Sequence, residues 1–268
     1  MLYNPQLAKT EVKKSITNYI EFGNGKKPLV ILTGIDDGFN PLTSQNQAVH
    51  FSKAYSEFGE KYHVYIFGRP VKIPKFQTTE QMADDTAASM RALGIKNAYL
   101  IGFSLGGMIA EQLTINYPEL VEKLVLTVTV SRYNDLMKSV CRNWVDIAEQ
   151  GDLLALINSV IELFYSEEKL NTFGKLTSKA VKIDNADRFI TEVTAPIYHD
   201  CYNKLENIKI PVFVIGGRKD RILGVAASYE TAEKLPHSEL YIYEECEHSL
   251  YEEADDYQQR VISFLENN

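Results

Sequence analysis

Apolar positions along this chain switch between a strand rhythm and a helix rhythm. Pro28-Leu29-Val30-Ile31-Leu32-Thr33 is a short apolar run ended by Gly34, the pattern of a strand buried on both faces. Residues 44–59 then place Ala48, Phe51, Ala54, Tyr55 and Phe58 at helical spacing, with Gly59 expected to close the helix. A strand follows at Tyr62–Phe67, ended by Gly68 and Pro70. The next helix is predicted from Thr79 to Leu93, capped by Thr78 or Thr79 and stopped by Gly94. A strand at 97–102, a helix from Leu105 to Tyr117 that must stop before Pro118, and a β-branched strand at 123–130 continue the series. Strands alternating with helices in this way predict an α/β fold with a mostly parallel sheet.

The rhythm changes between about 135 and 203. Only helical patterns are found there, at 135–150, 152–165, 167–181 and 186–203, punctuated by Gly151 and Gly174. The strand–helix series resumes with a strand at 210–217, a helix at 225–235, a strand at 239–243 and a last helix at 254–266. About seventy helical residues thus interrupt a regular series, with soft boundaries. The expected organisation is a core domain of residues 1–131 and 206–268, with residues 132–205 as a helical cap at one end of the sheet.

Composition narrows the function. A chain of 268 residues, 45% hydrophobic, can bury a sizeable core. A net charge of −8 with no basic cluster argues against a nucleic-acid partner. The stretch Met1–Lys14 lacks the apolar segment of a signal peptide, and no run is long enough to span a bilayer. Cys141, Cys201 and Cys246 are odd in number, far apart and without metal-ligand spacing. They read as buried thiols in a reducing, cytoplasmic protein, with neither a disulfide framework nor a zinc site. No metal or organic cofactor is implied, and the expected partner is a small-molecule substrate.

The chemistry is concentrated in three places. Gly102-Phe103-Ser104-Leu105-Gly106 has the form G-x-S-x-G, which chance alone supplies roughly once in ten chains. Its position between a predicted strand and a predicted helix raises its weight, because a nucleophile elbow needs that sharp turn and glycines two residues either side of the serine. The turn also aims the Leu105 N–H at an incoming oxyanion. A serine needs a base, and the base an orienting acid. Among five histidines, His248 lies after the last strand and before the last helix, at the sheet edge that holds the elbow. His63 and His50 read as packing or surface residues, and His237 as solvated. His199 falls in the cap and is the weaker candidate. Asp220, just past the strand ending Gly216-Gly217, precedes the histidine as the acid. Its bland reading is a solvated partner of Arg218, Lys219 and Arg221, and Glu245 and Glu247 are rivals beside the histidine.

The elbow, the Ser–Asp–His order, the Gly-Gly-x-x-Asp segment and the late histidine together resemble the α/β-hydrolase family over nearly the whole chain. The resemblance implies an eight-stranded, mostly parallel sheet with helices on both faces and a cap inserted after the sixth strand. It implies a carboxylesterase-like serine hydrolase in which Ser104, His248 and Asp220 cleave an ester, thioester or related acyl bond. It also implies Ile35, after Thr33-Gly34, as a second oxyanion donor beside Leu105. Many relatives carry His-Gly where this chain has Thr33-Gly34, a departure that a backbone donor tolerates. Asp36 and Asp37 are unusual beside an oxyanion hole. They are expected to face outward or cap the helix at 44–59, the alternative being that one binds a polar or cationic substrate group. Acyl transfer, C–C hydrolysis, aminopeptidase activity and a non-hydrolytic ligand-binding role use the same scaffold. A nucleotide-binding fold is disfavoured by the missing G-x-G-x-x-G and Walker lysine.

Overall fold

The computed structural model describes residues 3–173 and 186–267. Eight strands make one sheet: β1 Gln6–Val12, β2 Ser15–Phe22, β3 Pro28–Leu32, β4 His63–Pro70, β5 Ala98–Phe103, β6 Val121–Thr127, β7 Val212–Gly217 and β8 Ser238–Tyr243. Their spatial order is β1-β2-β4-β3-β5-β6-β7-β8. β1 and β2 pair antiparallel, as do β2 and β4, and every other neighbouring pair is parallel.

The six strands read from apolar runs are β3 to β8. The run criterion finds strands covered on both faces, and β3, β5 and β7 are buried almost throughout. It misses β1 and β2. β1 is an edge strand with the polar sequence QLAKTEV, mostly open to solvent, and β2 mixes buried and half-buried positions.

Alternation along each strand builds two cores. Val30, Leu32, Leu100, Leu124, Leu126 and Val214 face the helices Thr79–Ala92 and Leu105–Asn116. Leu29, Ile31, Ile101, Val125, Phe213 and Ile215 face the helices Gln45–Ala54, Ser56–Lys61 and Tyr257–Glu266. Four described helices, Asp135–Glu149, Leu153–Phe164, Glu167–Phe173 and Ala186–Thr194, lie between β6 and β7.

Several expected boundaries move for identifiable reasons. The helix expected at 44–59 is two helices broken at Tyr55. Ser44 caps the first through a capping box with Gln47, and Gly59 lies inside the second, against the rings of Tyr3 and Phe22. The strand expected to reach 130 stops at Thr127 because Val128 takes a positive φ of 44°. The helix expected at 186–203 ends at Thr194, where Ala195-Pro196 opens a tighter 3₁₀ turn. The last helix is preceded by a separate turn of helix, Leu250–Glu253. Of the helix expected at 167–181, Glu167–Phe173 is observed, and the rest, with Gly174, lies outside the described residues. No described helix is long and apolar enough to cross a membrane.

Candidate active site

β5 runs straight into the helix Leu105–Asn116, and Ser104 is the single residue of the turn. Its φ of 51° and ψ of −118° lie where a side chain normally costs about 1–3 kcal/mol. The surroundings hold it there. Its N–H donates to the Thr127 carbonyl at 3.0 Å, and its own carbonyl accepts from the Thr129 hydroxyl at 2.8 Å and the Gly107 N–H at 2.9 Å. The turn is too tight for side chains at two positions. A Cβ on Gly102 would sit 2.5 Å from the Gly107 Cα, and one on Gly106 would sit 2.0 Å from the Leu32 carbonyl oxygen.

Asp220 and His248 stand on the loops that leave β7 and β8. His248 Nδ1 is 2.8 Å from Asp220 Oδ2, and the other carboxylate oxygen accepts from the N–H groups of Ile222 and Leu223 at 2.8 and 2.9 Å. Burial alone would raise the Asp220 carboxyl. The charge and hydrogen bond of His248, with the two backbone donors, overcome it and hold the group below its usual range. The solvated reading of Asp220 therefore fails. Its three basic neighbours turn outward and pair across to the histidine loop: Arg218 with Glu244, Lys219 with Glu245 and Arg221 with Glu247. These pairs occupy the two rival glutamates and tie the Asp220 loop to the His248 loop.

Both loops are also tied to the end of the helix Leu153–Phe164. Arg221 donates to the carbonyls of Glu162 and Tyr165 at 2.7 and 3.2 Å, and the Ser249 N–H donates to that of Phe164 at 3.0 Å. The Phe164 ring meets the His248 ring edge-on, with centroids 4.8 Å apart.

Ser104, His248, Ile35 and Leu105 all line one cavity of about 20 Å³, roofed by Trp144 and Phe164. That is room for about one water molecule. His248 is fully buried, and its Nε2 has no hydrogen-bond partner. The loop bearing Ile35 is fixed from below by the buried guanidinium of Arg69, which donates to the Thr33 and Gly34 carbonyls at 2.7 and 3.3 Å. His199 is not in this cavity. It is buried elsewhere, between Thr79, Glu111 and Cys201.

A larger groove of about 670 Å³ opens beside the cavity and shares Phe164 with it. Its walls include Phe103, Tyr165 and Tyr251, with Asp36 and Glu252 as its acidic groups. A Cβ placed on Gly34 would lie 3.4 Å from Ser104 Cβ and 3.6 Å from Asp36 Oδ2, so this carboxylate is close to the serine. Both carboxylates reach solvent through the groove while protein encloses them on the other sides. That enclosure raises Asp36 against the opposing pull of His248 and Arg69. It also pushes Glu252 up to about 7, reinforced by Asp36, although the Tyr165 hydroxyl donates to Glu252 at 3.0 Å.

The family of proteins described as having the alpha/beta hydrolase fold matches residues 54–255. The chain belongs to this family. Among relatives of this α/β hydrolase, a 2-hydroxy-6-oxononadienedioate/2-hydroxy-6-oxononatrienedioate hydrolase of Pseudomonas sp is 25% identical over 263 residues, covering 91% of this chain and 89% of the relative. A protein of the same description from Paraburkholderia phymatum is 27% identical, covering 92% and 90%. Among solved structures, the enol-lactonase of Burkholderia xenovorans LB400 superimposes with a TM-score of 0.82 at 18% identity, covering 97% of this chain and all (100%) of that one. An alpha/beta hydrolase enzyme from a Medee basin deep-sea metagenome library gives 0.84 at 22%, covering 97% and 98%.

In this α/β hydrolase the Asp36-Asp37 pair divides its roles. Asp37 does not face outward. It is buried and paired with the buried Arg188, whose Nε donates to Asp37 Oδ2 at 3.0 Å and whose Nη1 donates to the Pro70 carbonyl at 2.9 Å. Nor does either aspartate cap the helix at 45, because Ser44 does. Glu192 completes the cluster at 3.6 Å from Arg188, and burial, with Asp37 nearby, pushes its carboxyl far above the usual range. Arg69, Arg188 and Glu252 escape sequence reasoning. Arg69 gives a faint signal as a cation following the apolar run of β4. Arg188 and Asp37 are 151 residues apart, and nothing local pairs them.

Proposed function

We propose that this α/β hydrolase is a serine hydrolase that opens a carbonyl–heteroatom or related acyl bond through an acyl-enzyme. His248 Nε2 takes the proton of Ser104 Oγ as the oxygen adds to the substrate carbonyl. The N–H groups of Ile35 and Leu105 receive the oxyanion, and His248 returns the proton to the leaving group. Water then repeats the sequence to release the acid. Asp220 keeps Nδ1 protonated, so that Nε2 is the basic nitrogen. The described helices between β6 and β7 act as the cap over the acyl group. The observation that carries this reading is His248 itself: one nitrogen is held by a buried carboxylate, the other is buried without a partner, and the residue lines one cavity with a serine in a strained turn.

The test is labelling by a fluorophosphonate together with turnover of short p-nitrophenyl esters. Both are expected in the native protein and both should vanish in Ser104→Ala. Labelling without turnover across a broad panel would favour the ligand-binding reading instead.

The groove supports a view of substrate charge. Among the described residues lining it there is no lysine or arginine, and two carboxylates face in. A dicarboxylate such as the one named for the two relatives above would be repelled there. A neutral or cationic acyl chain suits it better. As Glu252 ionises through pH 7, the KM for an ester with a carboxylate tail should rise by about 5-fold between pH 6 and 8, roughly the effect of one partly screened charge. The KM for a neutral ester should stay level, and Glu252→Gln should flatten the first curve. A rise that persists in Glu252→Gln would remove this residue from the explanation.

A further inference from the structure

We infer that Glu111, His199 and Cys201 form a binding site for one zinc ion, away from the Ser104 cavity, where the segment returning from the helical insertion meets the nucleophile helix. His199 and Cys201 come from a short extended stretch. The Cys201 N–H donates to the Ser131 carbonyl at 2.8 Å, the Tyr133 N–H donates to the His199 carbonyl at 2.9 Å, and Arg132 bridges Asp200 between them. Extended backbone sends alternate side chains to opposite sides. His199 and Cys201 therefore both turn inward and are buried, while Asp200 faces solvent. Glu111 reaches them from the helix Leu105–Asn116 and is itself fully buried.

Three observations favour a metal over a plain hydrogen-bond cluster. First, the three candidate ligand atoms lie at the right separations. Glu111 Oε2 is 3.1 Å from His199 Nε2 and 3.2 Å from Cys201 Sγ, and Sγ is 3.5 Å from Nε2. Tetrahedral zinc bonds of 2.0–2.3 Å set ligand atoms about 3.3–3.8 Å apart, so a few tenths of an ångström of adjustment suffices. Second, Glu111 Oε1 is buried with no hydrogen-bond partner. Nothing in the protein cluster satisfies it, whereas a bidentate carboxylate would use it as a fourth donor. Third, His199 Nδ1 is 2.8 Å from the Thr79 hydroxyl, so an ion on Nε2 would leave an Nδ1–H placed to donate to that oxygen. That is the outer-shell arrangement that orients metal-bound imidazoles.

The charge also balances. One carboxylate and one thiolate neutralise a dication, giving no net charge inside an apolar junction. The mixed oxygen, nitrogen and sulfur set suits zinc and excludes calcium or magnesium. Spacing along the chain hides the site, because Glu111 is 88 residues from His199. Occupied, it would bolt the end of the insertion to the helix that begins at the nucleophile.

Cobalt(II) chloride, added to full-length protein stripped with a chelator, is the probe. One equivalent should produce a near-ultraviolet thiolate-to-cobalt charge-transfer band. The band should vanish in Cys201→Ser and survive in Cys141→Ser and Cys246→Ser. Thr79→Val, which keeps the shape but loses the hydroxyl, should weaken cobalt affinity by about 10-fold or more. Zinc chloride should raise the native Tm by several degrees and leave that of Cys201→Ser unchanged. Absence of the charge-transfer band, or its persistence in Cys201→Ser, would overturn the assignment.

Discussion

His248→Ala should lower kcat for ester turnover by about 10⁶ and leave the fold intact. The expectation follows from the proposed division of labour, in which Ser104 has no other base. His248 is the titratable group in the small cavity that offers an unpartnered nitrogen. Residues that act as one unit fail as one unit, so losses do not multiply. Asp220→Asn should cost about 10⁴, because an amide can fix the wrong imidazole tautomer. The double variant should be no slower than His248→Ala alone. Steady-state kinetics on one ester, with circular dichroism to verify folding, decides the matter. A loss below tenfold in Asp220→Asn, or a further large loss in the double variant, would contradict the relay. Stability carries its own signature. The Asp220 carboxyl is held below its ordinary value, so its contribution is complete above about pH 4, the unfolded value, and fades as pH falls through the folded one. Asp220→Asn should therefore destabilise the protein at pH 7 more than at pH 3.

The second large effect concerns folding. Arg188→Ala should destabilise the protein by about 3–5 kcal/mol, the usual result of stranding one member of a buried pair. For a chain of this size that is a fall in Tm of about 10 °C. Arg188 is the hub. It donates to Asp37 Oδ2 and to the Pro70 and Arg69 carbonyls, and it comes from the helix Ala186–Thr194 while these partners lie between residues 37 and 70. Removing it leaves the enclosed Asp37 carboxyl without its ion-pair partner, next to a Glu192 that burial pushes toward its neutral form. The informative control is Asp37→Leu with Arg188→Met, which removes both charges together and should recover most of the loss. Urea unfolding of the single and double variants measures it. A double variant as unstable as Arg188→Ala would mean that packing, not the stranded charge, is responsible.

What the chain reveals without coordinates follows the range of the physics involved. Short-range signals read well. The apolar runs at 28–33 and 210–217, the Thr78 cap, the Gly94 stop and the tight turn around Ser104 depend on neighbours a few residues away, and each is found where expected. The edge strand Gln6–Val12 escapes because an edge strand is selected for its backbone pairing with β2 and carries no apolar run. The placement of Ser104, Asp220 and His248 is legible because each follows a strand end, and strand ends of a parallel sheet share one rim. The same logic does not reach Asp37 and Arg188, or Glu111 and His199, which meet through the packing of segments far apart in the chain. Asp36 and Asp37 are the instructive case. Adjacent in sequence and identical in type, they separate into a groove carboxylate and a buried ion pair, because a helix that begins at Asp36 turns successive residues about 100° apart.

Glu162 and Tyr165 offer their carbonyls to Arg221 on one loop, and Phe164 offers its own to Ser249 on the other. Engineers who transplant a foreign insertion onto this sheet to change substrate preference would import different acceptors at those three places. Under the proposed mechanism such a chimera would acquire a new acyl pocket while slackening the proton relay beneath it. Any swap on this scaffold therefore works best when its downstream junction lies before residue 162, so that the native buttress travels with the sheet.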